Sequence, residues 1–262
     1  MTIVEVAAGL GIGAIAGVLG GLAGVGGSMI ILPGLHMVFG DHPEARHHAY
    51  MAAAMTVNVA VALPASLKHR VAGAVRQELV GPLMLSTIAM LVVGVLISNR
   101  VNGNGLKIIL AAFIASYCCF NIWRILQRGH RERQAEHPGV GSLVISGGIT
   151  GFIGGLLGLG GGVLLVPFLQ LLCKVPLRQS IATSSAVIAI TAVVGATLKL
   201  STLHTQSQSV WYALSLAAIM APTAILGAQL GAKLTHRLPL KVVRLAITIL
   251  LMLAAAKLAD VW

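Results

Sequence analysis

The sequence predicts an all-α integral membrane protein of two homologous halves in inverted topology. Each half is a glycine-broken re-entrant helix hairpin followed by three membrane-crossing helices. Three observations predict this: a composition too apolar for water, a glycine signature spelled twice, and an uneven distribution of basic residues. The 262 residues are 57% hydrophobic and only 10% charged, against roughly 25% charged in a soluble domain. Residues 17–35 read GVLGGLAGVGGSMIILPGL, and residues 151–169 read GFIGGLLGLGGGVLLVPFL. Without a gap the two agree at nine of nineteen positions, six of them glycine and one proline. A repeat of this period points to internal duplication.

Residues 3–39 are one apolar stretch broken by GVGGS. As a single helix they would measure about 55 Å at 1.5 Å per residue, too long for one crossing and too short for two. A long helix, a glycine tip and a short returning helix over 28–39 fit better. Residues 1–13 lack a basic n-region and belong to that first helix. Plain helices follow over 49–67, 78–97 and 106–123, each close to the ~20 residues that cross a bilayer. RILQRGHRERQAEHPGVG then interrupts the apolar pattern with four arginines. It divides an N-terminal half, 1–123, from a C-terminal half, 141–262, with 124–140 as a basic cytoplasmic linker. The second half repeats the order: a broken stretch over 141–173, with GLGGG at 158–162 and a returning helix over 162–173. Plain helices are expected over 181–198, 210–232 and 242–259.

The basic residues choose between two topologies. With the linker inside, inverted halves place 13 of the 18 Lys and Arg on the cytoplasmic side and 5 outside. Parallel halves divide them nine and nine. Cytoplasmic loops are enriched in Lys and Arg, so the count favours inversion. The net charge of +11 is not a nucleic-acid signal. The basic residues sit in short loops, and no basic face with interleaved aromatics exists.

In an inverted arrangement the two hairpins enter from opposite faces and their tips can meet. Backbone that is not helical survives at that depth only where protein buries it or it lines a polar cavity. Gly24, Gly26, Gly27 and Ser28, with Gly158, Gly160, Gly161 and Gly162, are therefore the candidate binding residues. Their amides can converge on one point, and each tip leads into a helix whose N-terminus favours an anion. Gly9, Gly13, Gly17 and Gly21, four residues apart, read instead as a packing stripe. GLAGVGGS falls short of a phosphate loop, with Gly27 where the lysine belongs. On the following helices Thr56, Asn58, Thr183 and Ser184 are the candidate cavity residues. Hydroxyls can bond their own helix and do nothing more. Asn58, an amide among apolar residues, needs a partner.

Lys68 and Lys199 close the matching stretches ASLK and ATLK and read as interfacial anchors. His42, His47 and His48, in DHPEARHH, read as a solvated cluster rather than a metal site, and the sequence gives His36 no role. Cys118, Cys119 and Cys173 read as buried small hydrophobes. All seven carboxylates fall at segment ends or in loops, whereas cation and proton pathways use intramembrane Asp or Glu. The cavity suits an anion. No HExxH, GxSxG or paired membrane aspartates point to an enzyme.

The doubled glycine-then-proline signature, IATSSA in the second half, and GAQLGAKLTHRLPLKVVR near the end carry a resemblance over nearly the whole chain. The chain resembles the TauE/SafE-type membrane permeases, which include exporters of sulfite and organosulfonates. The resemblance implies a multi-pass transporter of the inner (plasma) membrane for small sulfur-containing or related anions. In it, residues 24–28 and 158–162 frame the pathway and Thr183 and Ser184 line it. The first half departs from the family's usual A-x-x-T-S pattern, with Ala52–Ala54 where Thr and Ser are common. The implied reading is alternating-access export of sulfite or an organosulfonate. An anion channel, proton- or sodium-coupled uptake and, distantly, an intramembrane enzyme are the alternatives. It calls for no cofactor or metal; its partners are a small anion and the lipid bilayer, with a homodimer left open.

Overall fold

A computed structural model of the chain describes residues 3–39, 43–126, 138–235 and Met252. These are helical almost throughout: α1 (Ile3–Ala23), α2 (Ser28–Val38), α3 (Pro43–Val71), α4 (Gln77–Ser98), α5 (Gly103–Leu126), α6 (Val140–Leu156), α7 (Leu165–Leu171), α8 (Leu177–Thr202) and α9 (Val210–Thr235). Among the described residues, five helical segments are long and apolar enough to cross a membrane: Ile3–Ala23, His47–Val71, Gln77–Ser98, Leu177–Gln206 and Val210–Thr235. The expected helix over 242–259 and most of the linker lie outside the described residues.

The glycine stripes set the packing. α1 packs on α9, α6 on α4, and α3 on α8. A Cβ at Gly13, Gly17 or Gly21 would run into the backbone of Met220, Ala224 or Ala228 on α9. Gly147, Gly151 and Gly155 of α6 stand in the same way against Leu83, Thr87 and Leu91 of α4. Small residues let two backbones approach closely where lipid provides no hydrophobic drive for association. Each broken helix thus packs on a plain helix distant from it in sequence. Between the two pairs, α3 and α8 form the most buried layer, joined through residues such as Ala52–Ala54, Ala182, Ala192 and Ala196.

Both broken stretches are interrupted where the glycines are. The first gives α1, an unwound tip and the 11-residue α2. The second gives α6, a longer unwound segment and an α7 of only 7 residues, shorter than the expected 162–173. Gly162 stands where the first tip has Ser28, and three glycines in a row hold the chain out of helix.

Turns gather at the two ends of α3 and α8. At one end the Gln206 side chain donates to the Asn99 carbonyl at 2.7 Å, and the Ala49 amide donates to Gln208 at 2.6 Å. At the other end the Arg76 amide donates to Thr183 Oγ1 at 3.2 Å.

Candidate functional site

The two glycine tips meet at Asn58, near the middle of α3. Its Oδ1 accepts the Gly27 amide at 2.8 Å, and its Nδ2 donates to the Leu159 carbonyl at 3.4 Å. One orientation of the amide satisfies both tips at once. Asn58 is fully buried, so these bonds replace water that is absent there. Gly26 and Gly160 flank it with φ of 78° and 71°, a region that side chains other than glycine enter at a cost. A Cβ at either position would collide with the Asn58 amide. The tips also approach each other directly, for a Cβ on Gly162 would lie 3.3 Å from the Val25 carbonyl oxygen.

The remaining candidates divide by what they hold. Ser184 Oγ donates to the Gly24 carbonyl at 2.7 Å, from α8 across to the first tip. Ser28 Oγ donates to the Ala54 carbonyl at 3.1 Å and ties the start of α2 to α3. Gly158 lies against Met51, and Gly161 against Thr87 and Leu91. Thr56 and Thr183 are not brought to the tips: Thr56 bonds the Ala52 carbonyl of its own helix, and Thr183 receives the Arg76 amide at the end of α8.

Two residues at the tips escaped the sequence reading. Thr191 Oγ1 donates to the Gly160 carbonyl at 3.1 Å. Thr87, on α4 beside Gly161, is fully buried and its hydroxyl has no partner. Both are hydroxyls among others on their helices, Thr87 beside Ser86 and Thr191 beyond Thr183–Ser185, so residue type alone does not single them out as it does Asn58.

The electrostatic sense of the site follows from which backbone groups are taken. The carbonyls of Gly24, Leu159 and Gly160 are occupied by side-chain donors. Among the described residues, no hydrogen bond uses the amides of Gly26, Gly161 and Gly162. Unused N–H groups of neighbouring glycines are donors that an anion can use, and the carbonyls of Val25, Gly26 and Gly161 likewise accept no hydrogen bond among the described residues. Glu5 and Glu78 stand in the first turns of α1 and α4, away from the tips.

Elsewhere the structure departs from the sequence reading. Lys199, expected at an interface, is fully buried, and so are His47 and His48, expected in solvent. Lys68 is exposed, as expected of an anchor. The fold folds the 47–48 segment under the 98–102 turn, a long-range contact that local sequence does not encode. His42 lies outside the described residues, and no group of three metal-ligating side chains exists among the described ones. Cys118 and Cys173 are buried, but Cys119 is exposed on the surface of α5.

Comparison with known proteins places the whole chain. A family model described as Sulfite exporter TauE/SafE matches residues 9–258. Relatives with the name probable membrane transporter protein include MamO of Paramagnetospirillum magneticum, 27% identical over 87% of this chain. A protein of Methanocaldococcus jannaschii is 25% identical over 92% of this chain and 90% of its own length. YunE of Bacillus subtilis is 26% identical over 94% of both chains. The chain spans only 40% of the length of that MamO. No solved structure matches.

Proposed function

Because the chain belongs to the sulfite exporter TauE/SafE family of membrane transporters, we propose that it carries a small oxyanion, sulfite or an organosulfonate, by alternating access at the two glycine tips. The observation that carries this reading is the convergence on Asn58. Two unwound segments from different halves share one amide, and among the described residues the amides of Gly26, Gly161 and Gly162 are left without a partner beside it. Broken helices that meet in this way are the binding architecture of inverted-repeat transporters. Every residue of both tips is buried, which supports a carrier closed on both sides over an open pore.

The inverted topology is part of the proposal. Parallel halves would put the 98–107 and 199–209 loops on opposite faces of the membrane, yet Gln206 bonds Asn99. They would likewise separate the 67–77 and 174–180 loops, yet Arg76 bonds Thr183. Inverted halves put each pair on one face, in agreement with the count of basic residues. Each hairpin is then re-entrant, and α2 and α7 are its half-length arms. Export is the direction an unaccompanied anion takes from an inside-negative cell, gaining about 2.3 kcal/mol per charge per 100 mV.

The test is counterflow in proteoliposomes: uptake of radiolabelled sulfite against unlabelled sulfite inside, with methanesulfonate as competitor. Saturable exchange that methanesulfonate inhibits, and that Gly27→Leu and Gly161→Leu abolish in folded protein, supports the carrier. Normal exchange in both variants would remove the tips from the pathway.

A further inference from the structure

We propose that Lys199 is the centre of a second anion-binding station, one step beyond the glycine tips toward the end of the molecule closed by the 98–102 and 203–208 turns. The proposal rests on the reading that the substrate is a small oxyanion. Lys199 lies seven residues along α8 from Ala192, which flanks Gly160 and Asn58, so the two stations are about 10 Å apart along the helix.

The ammonium is fully buried and donates to His48 Nδ1 at 3.0 Å, Ser98 Oγ at 2.9 Å and Asn99 Oδ1 at 2.7 Å. All three acceptors are neutral, the histidine because its Nδ1 carries a lone pair. Among the side chains the structure describes no carboxylate pairs with it; the Arg76–Glu78 ion pair lies at the other end of the molecule. Three neutral acceptors solvate an ammonium without cancelling its charge, and a buried charge without a counter-charge is costly. An arriving oxyanion supplies what is missing. Ser98 and Asn99 each carry donors as well as acceptors, so both can turn from the ammonium and donate to the anion.

A second observation in the same cluster points to a ligand. His36 Nε2 and His47 Nδ1 share one hydrogen bond of 2.8 Å, while His36 Nδ1 and His47 Nε2 are buried with no partner. Whichever ring donates the shared proton, one of those two outer nitrogens carries an N–H with nothing to accept it. The His47 ring lies 6.1 Å, centre to centre, from the His48 ring that Lys199 contacts. Among the described side chains the cluster therefore holds an uncancelled charge and an unmatched donor, and an oxyanion answers both. The matching Lys68 is exposed, so the station exists at one end only and gives the pathway a polarity.

Equilibrium binding of radiolabelled sulfite, with methanesulfonate in parallel, to purified full-length protein tests this. Wild type and Lys199→Arg should bind one more anion per chain than Lys199→Met, and Asn58→Leu should lose the other anion. Unchanged number and affinity in Lys199→Met would overturn the station and leave the tips standing. Loss in Lys199→Met with normal binding by Asn58→Leu would keep the station and remove the tips. No binding of either anion by wild type would overturn both. If Lys199→Met fails to fold, His36→Leu combined with His47→Leu keeps the ammonium, removes the unmatched ring donor in either tautomer, and should weaken the same anion at least ~10-fold; unchanged affinity there would also overturn the station.

Discussion

Asn58 holds more of the site than any other side chain, because its one amide answers a donor on the first tip and an acceptor on the second. Asn58→Leu leaves the Gly27 amide and the Leu159 carbonyl buried without partners, at about 1–3 kcal/mol for each such group. We expect a lower unfolding temperature in detergent and a loss of counterflow of at least ~10-fold from the protein that still folds. Gly26 offers a sharper contrast. Gly26→Ala must hold a φ of 78° and push its methyl into Asn58, a strain on the order of 1–3 kcal/mol in addition to the collision. Gly11→Ala, on the open face of α1 with nothing within 4 Å, should instead raise stability by ~0.5–1 kcal/mol. Thermal unfolding of the two variants side by side checks both signs. At this scale the sequence was informative where a residue type contradicted its surroundings. A lone amide in an apolar helix announced itself. Lys199 did not, since ATLK mirrors ASLK and only the fold makes one lysine buried and the other exposed.

The glycine spacing of α1 made its packing role legible, but the partner was not. Gly17 meets Ala224, and no local pattern names a neighbour more than 200 residues away. Gly17→Leu forces a branched side chain between two backbones in contact, where overpacking costs about 1–3 kcal/mol or more. Gly151→Leu does the same against Thr87. Both variants should lower the yield of monodisperse protein on size exclusion, whereas Gly161→Leu should spare assembly more than transport. Equal behaviour of all three would mean that the tips serve packing alone. The length of α7 escaped prediction for a related reason. GVGGS ends on a serine that can begin a helix, whereas GLGGG prolongs the unwound segment to Leu165.

Across the whole molecule, inverted and parallel halves differ in which loops share a face of the membrane, and four positions decide between them. Asn104 and Thr205 are exposed near the turns joined by the Gln206–Asn99 bond, while Ala72 and Arg178 are exposed near the Arg76–Thr183 contact. In a background with Cys118, Cys119 and Cys173 changed to alanine, single cysteines at these four positions are labelled in intact cells by a membrane-impermeant maleimide. Inverted halves require Asn104→Cys and Thr205→Cys to label from outside, and Ala72→Cys and Arg178→Cys only after the membrane is opened. Parallel halves exchange Thr205 with Arg178 in that pattern. The basic-residue count could favour inversion because charge bias acts on loops before the helices pack. It could not establish it, since a count assigns faces to loops without saying which loops touch. The hydrogen bonds between turns supply that missing relation. If Thr205→Cys is protected together with Ala72→Cys, the two hairpins no longer enter from opposite faces, and the anion pathway between their tips falls with the topology that built it.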